Sequence, residues 1–318
     1  MNANSNLERM LMIGGLILLA LFPLLAGKFY LQLFAKIMIM AIFAMSLDLL
    51  VGFTGLVSFG HAAFYGVGAY ALWLASPKYA ATSLYLSLPL AVAASAVAAL
   101  VIGLLVLRSS GVYFIMVTLA FAQMFFYYVT GAKWLGGSDG VYIYVKPDAA
   151  LFGWTPFSLE NAASFYYLVL LALAATYLVL RLLAGSLFGH ALQGIRGNEP
   201  RMRALGFATF GYKLTAFVVA GSLAGLAGYL DAAQYGFVTP DFFGWRLSGV
   251  VLMMVILGGM GTLYGPVLGA FALVLLQDSL SDATRHWLLP MGIFIILAVL
   301  LLPQGIGGLL HRREAEDG

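Results

Sequence analysis

Four polar side chains cluster where the chain is otherwise apolar: Asp48, Thr54, Ser58 and His61. They flank or fall within the run Val51-Gly52-Phe53-Thr54-Gly55-Leu56-Val57-Ser58-Phe59-Gly60. A carboxylate, two hydroxyls and an imidazole suit hydrogen bonding to a passing solute, or a proton path, more than bond cleavage. Gly52 and Gly55 would let backbone approach that solute closely. The segments on either side are long enough to span, or nearly span, a bilayer. Backbone that leaves the helix there loses hydrogen bonds at several kcal/mol per group, so such breaks survive only where protein or a water-filled cavity covers them. Breaks of this kind often line the route of a polar solute. Transport is the first reading.

Each group also has a plainer role. A carboxylate within a span is expensive and points to function by default. Asp48 could instead accept hydrogen bonds from the loose N–H groups of residues 51–55, as a cap does. His61 is either an end-of-helix histidine or a proton relay. A second break, Gly258-Gly259-Met260-Gly261-Thr262-Leu263-Tyr264-Gly265-Pro266, has the same ambiguity. Gly258, Gly259, Gly261 and Thr262 either allow tight helix packing or form part of a translocation wall.

The elements that must position these groups are membrane helices. Of 318 residues, 63% are hydrophobic and 9% charged, against about 25% charged in soluble domains. Mean hydropathy is +0.98. Ten candidate spans of near-bilayer length emerge: 10–27, 31–50, 61–76, 86–107, 112–130, 164–184, 212–232, 246–258, 265–281 and 287–304. The stretch 246–281 reads either as two short helices or as one helix with a re-entrant turn, because Pro266 and the glycines interrupt it. The apolar run near the N-terminus lacks a small-residue cleavage site before it and reads as a retained helix.

Lys and Arg set the orientation. With both termini cytoplasmic, nine basic residues face inward and seven outward, out of 16. The inner set is concentrated in loop 185–211 and the tail 305–318. The outer loop 131–163 carries Gly136-Gly137-Ser138-Asp139-Gly140 and aromatics, among them Trp134, Tyr142 and Trp154, that suit a membrane interface. Asp231, Gln234, Asp241 and Arg246, with Asp139, Lys146 and Glu160, give the outer face both signs of charge. They either dock a soluble partner by complementary charge or are solvated loop tips. The whole chain reads as one transmembrane domain, 1–318.

Other classes fall away. The net charge of +3 is small and gives no reason to expect a nucleic-acid partner; with zero cysteines there are no disulfides or thiolate sites. No phosphate-binding Gly-x-x-x-x-Gly-Lys-Ser/Thr loop is present, so the chain is not expected to hydrolyse ATP. His61, His190, His286 and His311 form no metal-binding spacing, and no carboxylate pair or nucleophile elbow suggests an enzyme or a cofactor.

The inner loop holds one more constellation. Asn198 can cap a short helix, with Glu199 and Pro200 in its first turn and Gly206 closing it after Leu205. Arg201 and Arg203 would be exposed, with Met202 and Leu205 as apolar knobs. Such a helix is either a docking element or an ordinary basic loop touching membrane lipid headgroups.

Taken together, several motifs resemble the branched-chain amino acid ABC-importer permeases, LivM-type subunit. They are Ser46-Leu47-Asp48 through His61-Ala62-Ala63-Phe64; Gly136 to Gly140; the inner loop from Gly189 through Ala191-Leu192-Gln193-Gly194-Ile195-Arg196 to Gly206; and Gly258 to Pro266. Gly197 and Pro200 depart from the more Glu-rich loop usual in that family. The resemblance implies an all-α, vitamin-B12-permease-like (type II importer) fold of about ten helices in the bacterial inner membrane. It implies a second, LivH-like permease, two LivG/LivF-like ATPase subunits and a periplasmic binding protein as partners. Asn198, Glu199, Pro200, Arg201 and Arg203 would then belong to a coupling helix against an ATPase. Related permeases carry urea, short amides or aromatic acids, so the motifs specify substrate less closely than family. An ion-coupled secondary transporter, with Asp48 as its coupling carboxylate, is the rival from another class.

Overall fold

The computed structural model describes residues 14–15, 18–24, 27–77, 80–149, 159–302 and 305–307. Helix α1 covers Lys28–Asp48 and runs on as a π turn, Leu49–Thr54. After an extended stretch comes α2, Ala62–Ala75, then α3, Leu84–Val106, and α4, Val112–Gly131. Next are α5, Ala162–Ala184, and two inner-loop helices, α6, Leu187–Gly197, and α7, Glu199–Ala204. The chain continues with α8, Thr209–Tyr235, α9, Trp245–Gly258, α10, Gly265–Ala283, and α11, Leu288–Leu301.

Each expected span from 31–50 onward falls on a helix. The span expected over 10–27 lies largely outside the described residues; helical residues at 18–21 and a 3-10 turn, Phe22–Leu24, belong to it. The stretch 246–281 is two helices, α9 and α10, joined by residues 259–264. Among the described residues, five helices are long and apolar enough to cross a membrane: α1 with its π turn, α3, α4, α5 and α8. At 14 residues each, α2 and α9 are only about 21 Å long, short of a hydrocarbon core of about 30 Å. Both abut a backbone break.

Burial ranks the helices. The apolar window of α1 is 94% buried and that of α8 67%, but those of α3, α4 and α5 only 33%, 22% and 28%. Helix α1 is therefore the core, packed against α5, α8, α9 and α10. Helices α3 to α5 present apolar faces outward, as a lipid-facing layer does. Because lipid is as apolar as leucine, close packing of small residues must hold such helices together. Gly228 of α8 shows this: a Cβ there would collide with the Tyr65 carbonyl of α2. Gly228→Val should therefore force the helices apart at a cost of about 1–3 kcal/mol or more. The check is the monodisperse fraction on size exclusion, which should drop sharply, whereas Gly292→Val, with open space around it, should leave it unchanged.

The loop over 131–163 is partly structured. Gly136 (φ 89°) and Gly140 (φ 75°) bracket a 3-10 turn, Gly137–Asp139. Strand β1, Val141–Tyr142, then pairs antiparallel with β2, Phe237–Val238, so the loop is stitched to the end of α8. Trp154 and its neighbours in 150–158 lie outside the described residues, as does the tail from 308.

Candidate functional site: a junction of two backbone breaks and an inner-loop arginine

The first break begins later than the sequence suggests. The helical path does not end at Val51 but widens into the π turn and leaves only at Gly55, which is left-handed (φ 74°). The reason is local bonding. Leu50 O accepts from the N–H groups of Gly55 and Leu56, the latter at 3.0 Å, and from Thr54 Oγ1 at 2.6 Å. The Thr54 hydroxyl is thus turned to its own backbone. Ser58 Oγ likewise accepts from Gly60 N at 3.3 Å.

This bonding frees Asp48 from the capping role expected for it. Its Oδ1 accepts from the backbone N–H of Gly261 at 2.8 Å, in the second break. Asp48 is fully buried and caps the other break rather than its own. The approach requires glycine at both ends. A Cβ on Gly52 would collide with Asp48 Oδ1 and with Gly261 N, and Gly261 itself is left-handed (φ 79°). Thr262 Oγ1 donates to Gly259 O at 2.8 Å, and Gly258 packs against the Gly265 carbonyl.

A third element closes the junction. Arg196, in the last turn of α6, donates through Nη1 to the Gly52 carbonyl, and its aliphatic stem lies against Gly55. One guanidinium therefore ties α6 to the π turn beside the Asp48–Gly261 bond.

His61 sits just past the first break, fully buried. Its Nε2 is 2.8 Å from Ser46 Oγ, and its ring stacks on Phe43 at 5.4 Å. The N–H groups that leave the first break find hydroxyls on distant helices. Ala62 N donates to Ser248 Oγ at 2.9 Å on α9, and Phe59 N to Thr118 Oγ1 at 3.3 Å on α4.

The loop over 185–211 is two helices rather than one. Ser186 caps α6 by accepting from Gly189 N at 3.4 Å. Asn198 caps α7, Oδ1 accepting from Arg201 N at 2.9 Å, with Pro200 in the first turn, as expected. Gly206 (φ 90°) closes it, and Phe207 N returns to Met202 O at 3.1 Å. Glu199 is turned inward. Its Oε1 pairs with Lys213 at 2.8 Å and Arg203 at 2.6 Å and accepts from Thr209 Oγ1 at 3.1 Å. Lys213 is buried at the start of α8, so Glu199 clamps α7 to that long helix. Met202 packs on Gly194 of α6. Arg201, Pro200 and Leu205 remain exposed.

Residues 29–302 match the family described as branched-chain amino acid transport system, permease component. The chain belongs to this permease family. High-affinity branched-chain amino acid permease LivM of Salmonella typhimurium (strain LT2) is 31% identical over 94% of this chain and 75% of its own length. LivM of Escherichia coli (strain K12) matches to the same extent. The autoinducer 2 import permease LsrC of Photorhabdus luminescens is 31% identical over 52% of this chain and 50% of its own. No solved structure matches. The chain is thus a LivM-type permease, a multi-pass membrane component of an ABC importer.

The matched span covers the whole junction of the permease and both α6 and α7. Asp231 and Gln234 lie at the end of the seventh expected span, within α8, and Gln234 is buried, donating to Gln32 O at 2.7 Å. Sequence reasoning missed Thr118 and Ser248, whose only signal is a lone hydroxyl in an apolar helix, and quoted Ser46 only as part of a motif. It also missed the reach of Arg196, which it placed among the basic inner residues.

The clamp has a pH signature. Burial pushes the Glu199 carboxyl up, but hydrogen bonds from Lys213 and Arg203, with that of Thr209, hold it on balance below its ordinary 4.5. A depressed carboxylate contributes stability above its unfolded value and loses it as pH falls through the folded one. Amide exchange over 199–205, corrected for intrinsic rates, should stay protected from pH 7 down to that ordinary value and fail below it. Glu199→Gln should fray the same segment at pH 7, because Lys213 loses its counter-charge.

Proposed function

We propose that the permease is the translocation subunit of an importer for branched-chain amino acids. The supporting observation is the 31% identity to two LivM permeases over 94% of the chain. In this reading the fold is vitamin-B12-permease-like with ten crossings, and both termini are cytoplasmic. A LivH-like second permease completes the pathway, two LivG/LivF-like ATPases dock on the inner loop, and a periplasmic binding protein delivers the solute.

Alternating access follows from the junction. The exposed face of α7, with Pro200 and Arg201, meets an ATPase. Glu199 and Arg203 pass its displacement to α8, and Arg196 passes it to Gly52. Asp48 keeps the two breaks together as they move. The exposed rim at Gly55 and Met260, with Gly261 and Thr262, borders the pathway. Behind it, Thr54, Ser58, His61, Gly258 and Gly259 hold the wall. Subunits with rigid levers and packed interfaces switch between discrete states rather than deform continuously.

The test reconstitutes the chain with the permease, ATPases and binding protein of its own system in vesicles. ATP-dependent uptake is measured for leucine, isoleucine, valine, urea, an aromatic acid and the autoinducer 2 sugar. The reading expects branched-chain amino acids to dominate. Uptake of the sugar instead would favour the reading supported by the half-chain LsrC match, and uptake without ATP would favour a secondary transporter.

A further inference from the structure

At the end of α1 opposite the junction, roughly 30 Å away along a 21-residue helix, lies a cleft of about 330 Å³. That volume is at the small end of ligand pockets. Three helix ends meet in it: the N-termini of α1 (Lys28) and α5 (Ala162), and the C-terminal turn of α8 (Gln234). N-termini carry partial positive charge and C-termini partial negative charge. The side chains carry both signs of charge as well. Lys28 and Lys146 bring two ammonium groups and Glu160 one carboxylate, while Leu31, Ala35 and Phe165 make the apolar wall. Lys146 Nζ stands 5.4 Å from the Phe165 ring centroid. Burial, then Lys28 nearby, loosens the Lys146 proton, with Glu160 opposing. An anion between the two lysines would relieve that repulsion.

One buried group also asks for a donor. Gln234 is only 7% exposed; its amide N–H is spent on Gln32 O, and its Oε1 has no partner. Orphaned buried acceptors are rare and call for an explanation.

We propose that this cleft is a binding site for a small amphipathic zwitterion, its carboxylate held by Lys28 and Lys146, its ammonium by Glu160 and Gln234 Oε1, and its apolar body by Leu31, Ala35 and Phe165. A carboxylate offers about four lone-pair positions, so Glu160 can serve a ligand along with its own neighbours. Both signs of charge beside an apolar wall fit an α-amino acid with an apolar side chain, and the identification of that class rests on the functional reading above. The site would be the outer mouth of the permease, filled from the binding protein.

The test is equilibrium binding of radiolabelled L-leucine to the assembled importer without binding protein, in nanodiscs of purely zwitterionic lipid and in nanodiscs containing phosphatidylglycerol. Lys146→Ala and Glu160→Gln should each weaken binding roughly tenfold, or about 1.4 kcal/mol. Lys133→Ala, in the 3-10 turn Lys133–Leu135 outside the cleft lining, should leave it unchanged. Loss with Lys146→Ala but not with Glu160→Gln, together with competition by phosphatidylglycerol, would make the cleft a lipid-headgroup site and overturn the proposal. So would wild-type protein that does not bind leucine, or variants that bind it normally. Wild-type vesicles that bind leucine at the cleft but never import it would sink the functional reading and leave the cleft standing. Import without cleft binding would do the reverse.

Discussion

Asp48→Leu should yield almost no folded permease, and Asp48→Asn should yield much of it. The Gly261 N–H lies in a half-buried break, against the fully buried Asp48. Its acceptor is Asp48 Oδ1 at 2.8 Å. Leucine removes the acceptor and strands the donor at about 1–3 kcal/mol. The branched side chain must also fit where Gly52 and Gly261 leave no spare room, adding about 1–3 kcal/mol of overpacking. The sum is a large part of a typical stability of about 5–15 kcal/mol. Asparagine keeps an oxygen in the same place and changes little volume. Yield of monodisperse protein and thermal midpoint, compared across the three proteins, decide it. A well-folded Asp48→Asn permease with no uptake would show that the charge itself works in transport.

Arg196→Gln should fold, insert and assemble, yet uncouple. Arg196 lies on the solvent-facing end of α6, so the side chain supports no core. What it supplies is a charged hydrogen bond to the Gly52 carbonyl. Bonds of that kind contribute about 1.5–3 kcal/mol, which corresponds to roughly ten- to hundredfold in a conformational equilibrium. Uptake should therefore drop by about that factor while basal ATP hydrolysis persists. Arg196→Lys should recover only part, since an ammonium cannot reproduce the planar fork of the guanidinium. Unchanged uptake in Arg196→Gln would remove the arginine from the transmission path.

The sequence was most legible where the physics is local. Apolar run length placed the spans from 31–50 onward, and Asn198, Pro200 and Gly206 fixed both ends of α7 because caps are read from adjacent residues. Long-range pairing was not legible. The partner of Asp48 lies 213 positions away, and that of Ala62 N, Ser248, lies 186 away. Nothing in a one-dimensional pattern distinguishes those hydroxyls and amides from their neighbours. The π turn was hidden for a related reason. Its glycine and β-branched residues read as a breaker, whereas Leu50 O accepting three donors keeps the path helical to Thr54. Glu199 was legible as a first-turn acid but not as a clamp, because Lys213 and Thr209 reach it only once α8 has folded back.

On the proposed transmission path, α6, α7 and the two breaks move as one body against α4. The chain has no cysteine, so pairs of spin labels can be introduced cleanly. Labels at the exposed positions Arg201 and Met260 span the junction, and labels at Met260 and Met124 relate it to α4. Distances are measured by double electron–electron resonance in the assembled importer, without nucleotide and with ATP trapped. The 201–260 distance should stay constant within the width of its distribution while the 260–124 distance shifts. A 201–260 distance that changes on ATP binding, with 260–124 fixed, would contradict the account.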